Sequence, residues 1–582
     1  MVVYRALNLR ILNLGTGLGV GGLVLGISLS IPPSSYAQTL APVDPSRIQQ
    51  NLREELPIRP NPSIDNLDIQ QPNVESPLKS QDVNNLNLII KNVNFQGNTI
   101  LNREIQELVN EVTNSEGIRL QDIPTLVEKI ENLYRSKGYE LIRVIIPEQT
   151  IKNSSINIEI IEGFIEEVKI IEGEKYKIRQ LSGYINNILE DKPTRLANLE
   201  RNLLLINELA GYKVSTTLET GKVKGGIILV MRISRKKMQS FFEVNNWGTE
   251  TVGPVQLQSG VILNSLGNEG EQIFLSGATS LFDFNEIKNV QGGIQIPVGR
   301  RGVKLGTSIN FSETNPGSFL KPFKIRGEAF NAKFGINYPL IRSFETQANL
   351  GLALDLTNNN SFLRLVNPPI PLYVDRTRNV ELYFNINHSH DFGSISGNLA
   401  FKQGIDALGA RSKGTNTIPV SNSFGKSDAL KIIAGFNQVW QLPDNFNLVI
   451  NGTSQIATQP LFVSEQFGIG GSTFNSAYQP SQLIGDSGYS VRAEIQKNIP
   501  YTINNTFLVT QPYIFADYGK VFRIRTFNDN FREQALSSAG FGFRQNISNI
   551  TSFRAELGFP LTFINKIQSH TPMFHFSIQS IF

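Results

Sequence analysis

From Lys237 to Phe582 the chain alternates apolar residues with small, polar or charged ones, in segments of about ten residues. Between Val303 and Phe311, the residues Val303, Leu305, Ile309 and Phe311 fall on one parity, and Lys304, Gly306, Ser308 and Asn310 on the other. Val380, Leu382, Phe384 and Ile386 alternate with Glu381, Tyr383, Asn385 and Asn387. Phe553, Ala555, Leu557 and Phe559 alternate with Ser552, Arg554, Glu556 and Gly558. A period of two predicts strands with one apolar and one polar face. Many such segments in series predict a closed barrel, apolar outside and polar inside, rather than a sandwich with its apolar faces hidden. Sixteen strands are expected, near residues 238, 254, 270, 287, 302, 325, 342, 378, 393, 428, 445, 488, 506, 534, 550 and 571. Short turns (Gly299–Gly302, Pro339–Arg342, Asp391–Gly393, Ser548–Asn549) alternate with long loops at 357–377, 404–427, 458–487 and 520–533.

The periodicity differs from Leu86 to Arg235. A strand pattern with Ile89, Val93 and Phe95 leads to helical segments at Asn102–Thr113 and Leu120–Ser136, the latter carrying Ile123, Val127, Ile130 and Leu133 at helical spacing. Gly138-Tyr139 ends the helix, and strands Leu141–Pro147 and Ile156–Ile161 follow. The order then repeats: strand Ile165–Ile171, helices Ile178–Leu189 and Leu196–Leu209, Gly211-Tyr212, and strands Lys213–Leu218 and Gly226–Ile233. Two β-α-α-β-β modules are expected, at 86–163 and 164–235. Each leaves a strand edge that either takes an extended peptide or pairs within the module.

The N-terminal segment differs again. Arg5 and Arg10 precede a charge-free stretch from Ile11 to Ile31, then Pro32-Pro33 and small residues at Ser35 and Ala37. That is the layout of a secretory signal peptide over residues 1–37, favoured over a retained membrane anchor by its Gly and Asn content. Residues 38–85 read as a Pro- and Asn-rich linker. Within it, Asp44-Pro45-Ser46-Arg47 through Leu56 is either a short polar helix or part of the linker.

Composition narrows the function. Charged residues are 18% of the chain, below the roughly 25% of soluble domains. A net charge of +4 gives no sign of nucleic-acid binding. The absence of Cys removes thiol nucleophiles, disulfides and thiolate metal sites. His388 and His390 share a strand face but read as strand-end residues at the membrane interface rather than metal ligands. No Ser/His/Asp or paired-carboxylate set falls in one pocket; Glu494, Asp517, Arg544, Arg554 and Glu556 read as wall charges of a wet channel. No enzymatic activity, catalytic residue, metal or cofactor is expected.

Tandem modules ahead of a C-terminal barrel resemble the two-partner secretion transporters (TpsB, haemolysin secretion/activation proteins), within the POTRA–barrel superfamily. Val93-Asn94-Phe95-Gln96-Gly97-Asn98 with Gly138-Tyr139 resembles a first POTRA domain, and Asn207-Glu208-Leu209-Ala210-Gly211-Tyr212 a second. Tyr338-Pro339-Leu340-Ile341-Arg342 resembles a periplasmic turn of the family. Gln466-Phe467-Gly468-Ile469-Gly470-Gly471 with Gly485-Asp486-Ser487-Gly488-Tyr489 resembles the frame of a long loop that folds back into the barrel. The chain ends in alternating residues and Phe582, which resembles an outer-membrane assembly signal.

The resemblance implies a 16-stranded antiparallel transmembrane β-barrel at 237–582 preceded by two periplasmic α/β POTRA domains. It implies an outer-membrane translocator that recognises an unfolded, β-helical partner exoprotein and secretes it through its pore. The partners it implies are that exoprotein, outer-membrane lipid and the barrel assembly machinery. An assembly factor inserting other barrels is the alternative. Asp44–Leu56 takes on the role of a pore-plugging helix. The loop tip, usually Val-Arg-Gly-Tyr or Phe, is here Asn475-Ser476-Ala477-Tyr478. Its usual Asp partner stands in an intact Phe515-Ala516-Asp517-Tyr518-Gly519 motif. Arg492, inward by strand parity, is then the expected substitute partner of Asp517; a hydrated Asp517 is the other possibility.

Overall fold

The computed structural model describes residues 44–47, 67–68, 88–113, 117–172, 179–267, 269–415, 417–503, 506–525, 532–562 and 571–582. The expected signal peptide, and residues 48–56 of the expected helix, lie outside them. No described helix is long and apolar enough to cross a membrane.

The first α/β unit contains β1 (Asn92–Gln96), α1 (Asn102–Val112), α2 (Ile123–Ser136), β2 (Ile142–Ile145) and β3 (Ser155–Glu162). Strand β3 is central, parallel to β1 and antiparallel to β2. Ile105, Ile123, Leu126, Ile130 and Tyr134 pack on Ile156, Ile158 and Ile160 of β3. Burying the Tyr134 hydroxyl requires a partner, and it donates to Glu162 Oε1 at 2.7 Å. The second unit contains β4 (Phe164–Glu172), α3 (Arg179–Glu190), α4 (Leu196–Asn207), β5 (Tyr212–Thr220) and β6 (Gly226–Arg235). Here β6 is central, with β4 parallel and β5 antiparallel to it. Gly138 and Gly211 take φ 88° and 82°, the left-handed conformation in which a Cβ is unfavourable, and each reverses the chain out of a helix. The backbone of Leu67–Asp68 pairs in parallel with Thr216–Thr217, on the outer edge of β5.

The barrel strands are β7 (Met238–Asn245), β8 (Gln256–Asn264), β9 (Gln272–Ser280), β10 (Ile287–Val298), β11 (Val303–Thr314), β12 (Ile325–Arg342), β13 (Thr346–Leu363) and β14 (Ile370–His390). They continue with β15 (Gly393–Gly404), β16 (Leu430–Leu442), β17 (Phe446–Ala457), β18 (Ser487–Lys497, extended by Ile499–Ile503), β19 (Thr506–Phe522), β20 (Glu533–Asn546), β21 (Thr551–Pro560) and β22 (Met573–Ile581). Each pairs antiparallel with its neighbours, and β22 closes the ring on β7 with Ser577–Ile581 opposite Phe241–Asn245. The predicted sixteen strands are all present.

Face assignment follows the alternation. Ile309, Leu352 and Ile514 are 51%, 50% and 59% exposed on the outer wall, whereas Asn310, Asn359 and Ser538 on the inner parity are at most 1% exposed. Such a surface is stable only against lipid.

Two local expectations need correction. The segment 357–377 is not a long loop: β13 and β14 run on as a hairpin, paired as far as Leu363 opposite Ile370. Beyond the membrane neither face must be apolar, so the ladder continues through Asn358-Asn359-Asn360 after the period-two signal has faded. Tyr338–Arg342 is likewise not a turn but the end of β12, with a bulge between Pro339 and Ile341. The turn is Ser343–Glu345, closed by Ser343 N donating to Thr346 O at 2.9 Å.

Candidate functional site: the barrel lumen

Successive inward positions of neighbouring strands bring charged side chains from distant parts of the sequence together. On β18 to β21 the centre is Arg492, whose guanidinium is 2.7 Å from Glu494, 2.7 Å from Glu556 and 3.5 Å from Asp517. It also lies over the Phe515 ring at 3.8 Å from the centroid. Arg554 pairs with Glu556 at 2.8 Å and Arg544 with Glu494 at 3.0 Å. The five predicted wall charges therefore form one network through Arg492. Its firmest partners are Glu494 and Glu556; Asp517 is held chiefly by the Ser538 hydroxyl and more loosely by Arg492.

The loop between β17 and β18 lies inside this wall. A small hairpin, Phe467–Ile469 against Leu483–Gly485, frames it. Asp486 anchors its base by accepting from the Leu461 and Ile524 amides, both at 2.8 Å. The tip, Asn475–Tyr478, sits on the charged wall. Asn475 donates to Leu536 O at 3.0 Å, Ser476 N to Asp517 at 3.3 Å, and His575 Nε2–H to Ser476 O at 2.6 Å. The Tyr478 hydroxyl lies between the carbonyls of Ser537 and Thr562 and is 3.0 Å from the former. Close approach depends on Gly519 and Gly558. A Cβ at Gly519 would stand 2.5 Å from Asn475 Oδ1, and one at Gly558 would stand 3.1 Å from Ala477 N. Phe582 lies away from the loop, at the barrel end where the second α/β unit joins, and its amide donates to Ser240 O at 2.8 Å across the closing seam.

Two further clusters lie in the lumen; the first escaped the sequence reading, and the second holds the start of the segment expected as a plug. Glu465, at the loop root, meets Lys431 at 2.5 Å and Lys402 at 3.7 Å, and Lys402 also meets Asp355 at 2.8 Å. The loop thus spans the lumen from β13, β15 and β16 to the opposite wall. The four residues Asp44–Arg47 also lie in the lumen, with Pro45–Arg47 forming a helical turn. Asn359 donates to the Asp44 carboxylate at 3.0 Å, Tyr373 donates to it as well, and Arg47 donates to Val463 O on the loop. Strand parity places Lys402, Lys431 and Asp355 on the lumenal face, but no local pattern joins them to Glu465.

The second α/β unit is seated on the short-turn end of the barrel. Glu208, after α4, pairs with Lys304 at 3.0 Å and Arg342 at 2.5 Å. Arg201 donates to Pro339 O at 2.8 Å and Gln180 to Pro297 O at 3.0 Å. Burial pushes the Glu208 carboxyl up, but Lys304 and Arg342 outweigh it and hold it below its ordinary 4.5. This contact is therefore fully present above that value and lost as pH falls through the lowered one. Glu208→Ala strands a buried Arg342 and is expected to weaken the contact by about 3 kcal/mol. Faster hydrogen exchange in residues 339–349 at neutral pH checks this; unchanged exchange would show that the pair contributes nothing.

A sequence model of the haemolysin secretion/activation protein family ShlB/FhaC/HecB matches residues 225–545, more than half of the chain, and one of the ShlB-type POTRA domain matches residues 88–163. The chain belongs to this family. Its members are TpsB-type transporters, so the barrel is an outer-membrane translocator of two-partner secretion with its POTRA domains in the periplasm. Among relatives, the heme/hemopexin transporter protein HuxB of Haemophilus influenzae is 23% identical over 455 residues, 76% of this chain and 78% of that one. The outer membrane transporter CdiB of Dickeya dadantii is 22% identical over 503 residues, 84% and 87% of the two chains. Among solved structures, CdiB from Escherichia coli superposes with TM-score 0.75 at 17% identity, over 95% of this chain and all of that one. CdiB from Acinetobacter baumannii gives 0.64 at 19% identity, over 94% and 98%. At these identities the structures establish the shared fold. The short turns and the seated α/β unit therefore face the periplasm, and the long loops face outward.

Proposed function

We propose that this TpsB translocator exports one unfolded, β-helical exoprotein through the lumen of its own barrel, without a catalytic step of its own. The observation that carries this reading is a barrel whose lumen is spanned by its own loop and holds residues 44–47, with a POTRA unit fastened at its periplasmic mouth. The partner is recognised in the periplasm partly by strand addition to an open POTRA edge. Leu67–Asp68 already pairs with β5, so β4 in the second domain and β1 or β2 in the first are the edges offered.

In the resting state Asp44–Leu56 plugs the pore, tied to Asn359, Tyr373 and the loop through its first residues. The tip Asn475–Tyr478 is locked to the Phe515-x-Asp517-x-Gly519 strand, with Arg492 in part replacing the missing tip arginine. Folding of the exoprotein outside the cell supplies the drive. The apolar outer wall contacts membrane lipid, and Phe582 is the mark read by the barrel assembly machinery during insertion.

Co-expression in a Gram-negative host with the β-helical exoprotein encoded beside this chain tests the reading. Exoprotein is expected in the medium with the full chain, and at less than a tenth of that level without residues 88–235. Exoprotein held in the periplasm by an inserted, full-length barrel would contradict it. Loss of resident barrels on depletion of this chain would instead favour an assembly factor.

A further inference from the structure

The outer end of β14 carries an arginine cluster that no carboxylate balances. Arg376 and Arg378 share the parity of Val380 and Leu382, which face lipid and are 36% and 45% exposed. Arg378 lies opposite Leu356 of β13 and Arg376 opposite Asn358. Arg378 therefore stands at the last apolar row, and Arg376 about 7 Å above it. The chain leaving β15 at Gly404 runs on beside β14. Ile405 N donates to Arg378 O at 2.8 Å, and Arg411 N donates to Arg376 O at 3.0 Å. Arg411 and Arg376 are bridge partners, and bridge partners project from the same face of a ladder, so Arg411 joins the outward set.

The three guanidinium groups are held differently. Arg378 is buried and donates to Leu408 O at 3.0 Å, Thr357 O at 2.9 Å, Thr377 O at 2.7 Å and Asn358 Oδ1 at 2.9 Å. Arg411 donates to Val374 O at 2.9 Å and to Ile418 O. Arg376 is exposed, and among the described residues its guanidinium meets no acceptor. All the acceptors are neutral. The nearby carboxylates are engaged or apart: Asp375 has inward parity and accepts from Ser421, Asp355 pairs with Lys402, and the exposed Asp406 forms no ion pair among the described residues. Three like charges in one patch repel one another, and carbonyl dipoles offset only part of that. A shared anion would offset the rest.

We propose that Arg376, backed by Arg411 and Arg378, binds the oxyanion headgroup of a glycolipid in the outer leaflet. The acyl chains of that lipid lie along Val380, Leu382 and Phe401, with Leu408, 62% exposed beside Arg378, as an apolar lip. Arg376 offers a free planar fork, which fits a tetrahedral phosphate better than a point charge does. Position selects the lipid among anions. The lumen opens on the other face of this ladder, to which Tyr373 and Asp375 point, so an emerging passenger meets the opposite side. A soluble anion would gain nothing from the apolar row below. The site depends on the outer-membrane orientation of the barrel and not on what the barrel exports.

The probe is lipid A with both phosphates, set against the same lipid with its phosphates removed. Each is presented in detergent micelles to the purified full chain, and native mass spectrometry counts the lipid retained. The phosphorylated form is expected at least tenfold above the dephosphorylated one. Arg376→Gln should lower its retention at least threefold, and Arg376→Gln with Arg411→Gln at least tenfold. Lys321→Gln with Lys324→Gln removes the same charge from another exposed outer segment and should stay within twofold of the unaltered chain. Arg376 bonds to no protein group through its side chain, so its single variant keeps the test valid if the double variant fails to fold. Equal retention of the two lipids, unchanged retention by Arg376→Gln, or an equal loss in the lysine variant overturns the proposal. Displacement by inorganic phosphate, but not by chloride at equal ionic strength, would show a free-anion site and overturn the assignment to lipid.

Discussion

Arg492→Ala is expected to destabilise the barrel by about 3–5 kcal/mol, because it removes the one cation shared by three buried carboxylates. Glu556 keeps Arg554 and Glu494 keeps Arg544, so Asp517 loses its nearest cation without replacement. The Ser538 hydroxyl and the Ser476 amide remain to it, and both bond it best as a carboxylate. The loop tip should therefore loosen together with the wall. Arg492→Lys keeps the charge but not the planar fork that reaches Glu494 and Glu556 at once, and should recover only part of the loss. The temperature at which the barrel loses compact migration in a detergent gel checks both variants. Equal temperatures for Arg492→Ala and the unaltered chain would show that the network is solvated and carries little.

Glu465→Ala should have a comparable effect at the other root of the loop. It leaves Lys431, 8% exposed at its side chain, without its carboxylate, while Lys402 retains Asp355. A buried unpaired ammonium costs about 3–5 kcal/mol when its partner is removed. Neutral replacement of both members, Glu465→Gln with Lys431→Met, should restore most of the stability, because it leaves no orphan charge. Since Glu465 adjoins Val463, which receives Arg47, the single variant should also release the N-terminal segment. Increased conductance of the purified protein in a planar bilayer reports that release. Unchanged stability with unchanged conductance would mean that the loop is held by its tip alone.

The fold was legible wherever a membrane forces alternation. The expected strand starts lie within a few residues of those observed, the widest difference being 378 against Ile370. That difference has the same cause as the misread loop at 357–377. Above the lipid both faces of β13 and β14 are wet, so backbone pairing persists without a hydrophobic period. The helices and glycine caps of the POTRA domains were legible because a small core needs a regular apolar stripe. Arg492 was legible by parity alone, and the other wall charges likewise. Their grouping was not, since it depends on register between strands that the sequence separates by tens of residues. The Glu465 cluster was invisible for the same reason, and a lumenal place for Asp44–Arg47 came from the family resemblance alone: a four-residue polar turn has no period, and its partners come from β13, β14 and the loop.

The central claim is that the passenger crosses inside this barrel, and two adjacent residues on β16 separate inside from outside. Asn437 shares the inward parity of Lys431, which meets Glu465 of the lumenal loop, while Phe436 is on the opposite parity and 46% exposed on the lipid side. A photoreactive residue at either position, with an exoprotein stalled by a folded C-terminal fusion, reports which face the passenger touches. The expected result is a covalent adduct from position 437 and none from 436. An adduct from 436 alone, or exoprotein in the medium with no adduct from 437, would contradict passage through the lumen.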